Sequence, residues 1–200
     1  MSGPGLTLAE LARKLVHIGV GGFALLLRYL TWPQAALMAV AAVVFNWQVL
    51  PRVGGRWLWR GEEHDQGYPR GILIYPLSVL GLVLWFRDEL WKAAAIWGLL
   101  AVGDGMASLL GLAAGGPRLP WNPRKSVYGA MSFVVFGSLA ASALAVWTLR
   151  LPATGILSPR VLVWALPVAA LAALVESLPT ALDDNLTVPF VGAVALTLLN

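Results

Sequence analysis

The chain has no cysteine, which removes disulfide and thiolate chemistry and leaves the redox compartment open. Charge is also scarce. Asp, Glu, Lys and Arg make up 12% of its 200 residues, where a soluble domain has about 25%. With 58% hydrophobic residues and a mean hydropathy of +0.75, that scarcity excludes a soluble globular protein. The net charge of +4 is too modest to suggest nucleic acid and belongs in loops beside anionic lipid head groups. No secretory signal is expected, because Glu10, Arg13 and Lys14 precede the first apolar run and no small-residue cleavage site closes it. No internal repeat stands out, so an inverted-repeat transporter lacks its main sequence cue. No link is long enough to hold a soluble domain, and residues 1–200 read as a single integral membrane domain.

What remains is a series of apolar runs. A full span takes about 17–25 residues, and suitable runs fall at 15–31, 34–50, 71–87, 91–113, 127–149 and 161–179, with a shorter one at 186–199. The pattern predicts an all-α, polytopic transmembrane bundle of about seven helices. Pro33, Pro51, Pro152 and Pro159 punctuate the links, and tryptophans such as Trp32, Trp47, Trp85 and Trp91 sit near the run ends as interfacial anchors. On the N-terminal side the links carry Arg13, Lys14, Arg52, Arg56, Arg60, Arg70, Arg118, Arg124 and Lys125. The other side carries Arg28, Arg87, Lys92, Arg150 and Arg160. Nine basic residues against five predict a cytoplasmic N-terminus.

One apolar run is interrupted. Gly103-Asp104-Gly105-Met106-Ala107-Ser108 lies inside the stretch Ala93 to Leu112, and Gly111, Gly115-Gly116 and Lys125-Ser126 follow. An ionisable residue at such a depth is costly and marks a functional site by default. Glycines allow close approach of a ligand, and an acid that holds a cation, together with a lysine, suits a phosphate. The competing reading makes Asp104 a packing residue and Gly103, Gly105 and Gly111 small-residue helix contacts.

The other polar residues share the face on which the N-terminus lies. Glu10, Lys14 and His17 fall at i, i+4 and i+7, one face of the first helix, able to bring a cation and an imidazole to an anion or simply to form an ion pair at the helix entrance. Glu62-Glu63-His64-Asp65 reads as a solvated loop more readily than as a metal site. Lys125 and Ser126 are expected to start the fifth helix. Asp104, Glu176, Asp183 and Asp184 are the carboxylates nearest this boundary in the later helices. Mg²⁺ typically takes one or two carboxylates plus substrate phosphates, and phosphoryl or nucleotidyl transfer needs little beyond positioning and electrostatics. Asp183-Asp184-Asn185 also suits a helix N-cap ahead of Leu186. A transporter would place such groups near the midplane. An enzyme taking a soluble substrate from one side would place them as they are here.

Glu10-x-x-Arg13-Lys14-x-x-His17, Gly103-Asp104-Gly105-Met106-Ala107-Ser108-x-x-Gly111, Lys125-Ser126-x-x-Gly129, and Glu176-Ser177 followed by Asp183-Asp184-Asn185-Leu186-Thr187-Val188-Pro189 occur in this order. In this the chain resembles the phytol kinase and dolichol kinase family. The Tyr68-Pro69-Arg70-Gly71 lead is more like the phytol kinase branch. The resemblance implies a CTP-dependent kinase, with Mg²⁺ as cofactor, that phosphorylates the hydroxyl of a prenol or polyprenol in a prokaryotic cytoplasmic membrane, its site facing the cytoplasm. It implies that Asp104, Glu176, Asp183 and Asp184 hold the metal and triphosphate, and that Asp104, Lys125 and Asp183 act in catalysis. Arg13, Lys14, His17, Gly103, Gly105, Ser108, Lys125, Ser126 and Asn185 would contact nucleotide or phosphate. The partners are CTP, the lipid alcohol and membrane lipids, not nucleic acid, and homo-oligomerisation stays open. More distantly the chain is similar to CTP-dependent diacylglycerol kinases and phosphatidate cytidylyltransferases, although the Asp-Arg-x-x-x-Asp signature of the latter is absent. A phosphatidate cytidylyltransferase-like enzyme or a CTP-dependent diacylglycerol kinase is the alternative enzyme, and a small lipid transporter or flippase the alternative class. Asp104, Asp183 and His17 are candidates for the general base.

Overall fold

A computed structural model describes residues 8–53 and 70–199. Among them, seven helical segments follow the apolar runs. Helix α1 covers Leu8–Gly21 and continues as a 3₁₀ turn over Gly22–Arg28. Helix α2 covers Trp32–Val44 and widens into a π turn over Phe45–Val49. Then come α3 (Arg70–Trp85), α4 (Leu90–Ala113), α5 (Val127–Thr148), α6 (Pro159–Ser177) and α7 (Asp184–Leu199). The protein is thus a helical, membrane-type bundle. Among the described residues, α4, α5 and α6 are long and apolar enough to cross a bilayer, while α3 and α7 are shorter apolar helices.

Local chemistry explains the boundaries. Thr31 and Gln34 form a capping box at the start of α2, with the Thr31 backbone N–H donating to Gln34 Oε1 at 2.9 Å. The interior prolines Pro76, Pro167 and Pro189 are tolerated because neighbouring helices re-satisfy the freed backbone groups in such bundles. Helix α1 begins seven residues before the expected span, since Leu8 to Lys14 already carry helix-forming residues ahead of the apolar run.

Alanines make up about half of the buried hydrophobic residues and pack among larger side chains. Ala93, Ala94 and Ala95 of α4 and Ala165, Ala169 and Ala172 of α6 are all buried, around the larger Ile96, Leu99, Phe133 and Leu196. Association inside a bilayer depends on close van der Waals packing, because lipid is as apolar as leucine. A Cβ on Gly103 would meet the Phe133 ring at 3.2 Å and Gly137 Cα at 3.3 Å, and one on Gly129 would meet Ala107 O at 2.9 Å. Helices α4 and α5 therefore cross almost backbone to backbone.

Between them in the chain lies a feature that differs from the expected loop and helix start. Residues Arg118–Leu119 and Asn122–Ser126 form a small antiparallel hairpin, with Arg118 opposite Ser126 and Leu119 opposite Asn122. Lys125 accordingly sits in a strand, and Ser126 is the N-cap of α5, accepting from Gly129 N–H at 3.1 Å. The correction has a physical cause. Pro117, Pro120 and Pro123 remove donors and disfavour helix, and Gly115 and Gly116 take φ of +63° and +74° to turn the chain. The Glu62-Glu63-His64-Asp65 cluster and most of the 51–70 link lie outside the described residues.

Candidate active site

Three carboxylates from three helices converge on one point. One oxygen each from Asp104, Glu176 and Asp184 lies within 4.8 Å of the others. Asp104 reaches this point from a π-helical stretch, Leu99–Asp104, in the middle of α4. Such wide turns are rare and often lie at functional sites. Glu176 comes from the last turn of α6, and Asp184 from the first residue of α7. Asp104 and Glu176 are buried and Asp184 is half-buried.

Cations from two directions offset this negative charge. Lys14 of α1 donates to Asp104 Oδ2 at 2.9 Å, and His17 Nε2, one turn further on, lies 3.5 Å from the same oxygen and 3.2 Å from Leu100 O. On the other side, Lys125 donates to Glu176 Oε1 at 2.6 Å and Asp184 Oδ2 at 3.1 Å, and also to the Glu176 backbone carbonyl. That carbonyl belongs to the C-terminal turn of α6, where a cation is favoured. Burial works against the Lys125 ammonium, but the Glu176 and Asp184 carboxylates outweigh it and hold its pKa above the ordinary lysine value.

The hairpin aims Lys125 at this point because its turn is pinned to α6. Trp121 Nε1 donates to Ser177 Oγ at 3.0 Å, and Asn122 Nδ2 donates to Ser177 O at 3.0 Å. Asp183 and Asp184 have separate tasks. Asp183 Oδ1 accepts the Asn185 backbone N–H at 2.9 Å, a capping bond for α7, while Asp184 turns towards Lys125. Asp183 thus lies outside the group of three, although the resemblance placed it among the metal ligands. Asn185 ties α7 to α3 through Nδ2, which donates to Gly71 O at 3.3 Å.

A pocket opens on each side of the carboxylates. The first, about 140 Å³, is lined by Arg13, Lys14, His17, Asp104 and Asn185 together with Tyr75 and Asn46. The second, about 170 Å³, is lined by Ser108, Arg118, Arg124, Lys125, Ser126 and Glu176. The residues expected to contact nucleotide or phosphate therefore divide between two cavities. Gly103 and Gly105 line neither. Instead of letting a ligand approach, they let helices approach, Gly103 against α5 and Gly105 against Ile18 of α1.

Tyr75, Asn46 and Trp97 were not singled out from sequence. Trp97 Nε1 donates to the Tyr75 hydroxyl at 2.9 Å, and the Tyr75 ring packs edge-on against His17 at 4.7 Å. A lone asparagine in the apolar run 34–50 was the available signal for Asn46. A tyrosine or tryptophan in such a run reads first as an interfacial anchor.

The chain is 32% identical, over 95% of its length, to the chloroplastic farnesol kinase of Arabidopsis thaliana, and 31% identical, over 90%, to phytol kinase 1 of the same plant. The chain belongs to the phytol kinase family. It spans 66% of the length of the farnesol kinase and 63% of the phytol kinase. No family profile and no solved structure matches it.

Within this family frame, the donors at the carboxylate cluster are suited to a hard divalent cation. All three are oxygens on different elements, and two lysines leave part of their charge uncompensated. Mg²⁺ is held by such sets, generally with phosphate oxygens completing its sphere.

Proposed function

We infer that the chain transfers the γ-phosphoryl group of CTP to the hydroxyl of a prenol. The observation that carries this reading is the carboxylate–lysine cluster set between two pockets, one richer in arginine and lysine and the other reaching His17 and Asp104. The names of the farnesol and phytol kinase relatives supply the acceptor class. The triphosphate lies in the pocket of Arg118, Arg124 and Lys125, and the alcohol lies in the pocket of His17 and Asp104. The hydroxyl oxygen attacks the γ-phosphorus, the bond from that phosphorus to the β,γ-bridging oxygen breaks, CDP leaves, and the hydroxyl proton passes to the Asp104–His17 pair. Lys125 and Lys14 hold positive charge where the transferring group is most negative. A magnesium ion held by Asp104, Glu176 and Asp184 would neutralise phosphate charge. The site faces the cytoplasm. Cysteines introduced at Pro123 and Ala153 should be labelled from opposite sides of the membrane, and labelling of both from the same side would contradict that orientation. The reading itself is tested by mass analysis of lipid products after incubation with CTP, Mg²⁺ and a panel of prenols, polyprenols and diacylglycerol. A prenyl monophosphate is expected. A lipid carrying CMP would identify a cytidylyltransferase instead.

A further inference from the structure

A third cavity, about 460 Å³, lies between α1, its 3₁₀ continuation, α2 and α3. Its size is that of a small-molecule site, about 300–1,000 Å³. Its floor is aliphatic and buried, with Ala35, Ala39, Val79 and Val83 each 6% exposed or less. Its outer rim carries Phe23, Met38 and Phe45, which are 56%, 42% and 47% exposed. The groove therefore opens sideways, out of the bundle. Its polar groups gather at one end. Asn46 and Tyr75 line this groove and also the pocket of His17 and Asp104, as does Val20. The Trp97 N–H, also at the groove, is turned to the Tyr75 hydroxyl.

We propose that this groove is the seat of the prenyl chain, with Asn46 and Tyr75 forming the neck through which the hydroxyl end reaches His17 and Asp104. A ligand that fits must be apolar along its length and polar at one tip, which is the chemistry of a prenol and not of a charged phospholipid head group. It enters laterally between Phe23 on the 3₁₀ continuation of α1 and Met38 on α2, so the alcohol never leaves the bilayer. The Tyr75 hydroxyl accepts from Trp97 and keeps its own hydrogen to donate to the alcohol oxygen. The proposal rests on the prenol kinase reading for the identity of the ligand, but not for its test.

The test is photolabelling of the purified protein in lipid nanodiscs by a farnesol analogue with a diazirine at the tail, followed by peptide mapping. Label is expected on α2 and α3 at the groove, displaced by excess farnesol. Ala42→Phe, which fills the groove, and Met38→Trp, which blocks its rim without touching the buried floor, should each cut the label by about tenfold, a change on the scale of one overpacked contact. Unfolding temperatures of both variants report that they still fold. Label scattered over the outer surfaces of all helices, or undiminished in both variants, would overturn the proposal. Groove labelling without phosphate transfer to any prenol would support the groove and overturn the kinase reading. Transfer to farnesol that is unaffected in either variant would do the reverse.

Discussion

Lys14 Nζ sits 2.9 Å from Asp104 Oδ2, across 90 residues of sequence, with the carboxylate 5% exposed and the lysine side chain 19%. The pair joins the middle of α1 to the centre of α4. Removing one partner of a buried pair leaves an uncompensated charge, at a cost of about 3–5 kcal/mol. Lys14→Met should therefore lower the unfolding temperature in detergent. Adding Asp104→Asn to it should recover most of the loss, because the orphaned charge is then gone. Unchanged stability in Lys14→Met would mean that solvent or a cation already screens Asp104.

Lys125 bridges Glu176 and Asp184, and Lys125→Met keeps the stem while removing the proposed phosphate contact. Turnover should fall by about 10²–10³-fold, the scale of one lost electrostatic stabiliser. Combined with Asp104→Asn, the losses should be less than additive if both act on one triphosphate, and a double-mutant cycle in kcat reads this. The raised Lys125 pKa carries a sign. The ammonium's contribution is complete below the ordinary lysine value, about 10.4, and is lost only as pH rises through the higher folded value. A pH–rate profile should show no alkaline fall from this group below about pH 10.

Gly105 tests whether α1 must seat closely on α4. A Cβ there would run into Ile18 Cγ1, one residue from His17. Gly105→Ala should push α1 outward, lengthen the Lys14 and His17 contacts to Asp104, and reduce turnover more than stability. Ile18→Ala in the same chain should restore much of it, as measured by kcat alongside thermal unfolding. If Gly105→Ala alone has normal turnover, the position of α1 does not matter to the chemistry.

Metal removal probes the carboxylate cluster. Chelation should abolish activity, with Mg²⁺ or Mn²⁺ restoring it. Glu176→Gln and Asp184→Asn should each raise the Mg²⁺ concentration needed for half-maximal rate. Asp183→Asn should leave that concentration unchanged and act through stability, since Asp183 caps α7.

The helices were legible because composition alone forces them. Apolar runs between prolines leave the backbone no partner but itself, and α4 and α5 begin and end within one residue of the expected spans. The polar residues of the cluster stood out because a charge in an apolar stretch is rare. Periodicity could not show that Asp183 and Asp184 part company, since a one-residue step at a helix start decides which caps and which faces Lys125. Nor could it show the π turn at Leu99–Asp104, and the hairpin at Lys125 follows from prolines and glycines that hydrophobic periodicity does not register. Tyr75 and Asn46 were hidden by ambiguity, since either residue in an apolar run has several ordinary uses.

We propose that the cluster around Asp104 moves a phosphoryl group onto a prenol. The direct measurement follows label from CTP to farnesol in wild-type protein and in Asp104→Asn, with unfolding temperature taken on the same samples. Label in the γ-phosphate should appear in farnesyl monophosphate, label in the α-phosphate should not, and Asp104→Asn should lower the rate by about 10²–10³-fold without loss of fold. Transfer of the α-label, or a near-normal rate in Asp104→Asn, would contradict the account and leave Asp104 a packing residue.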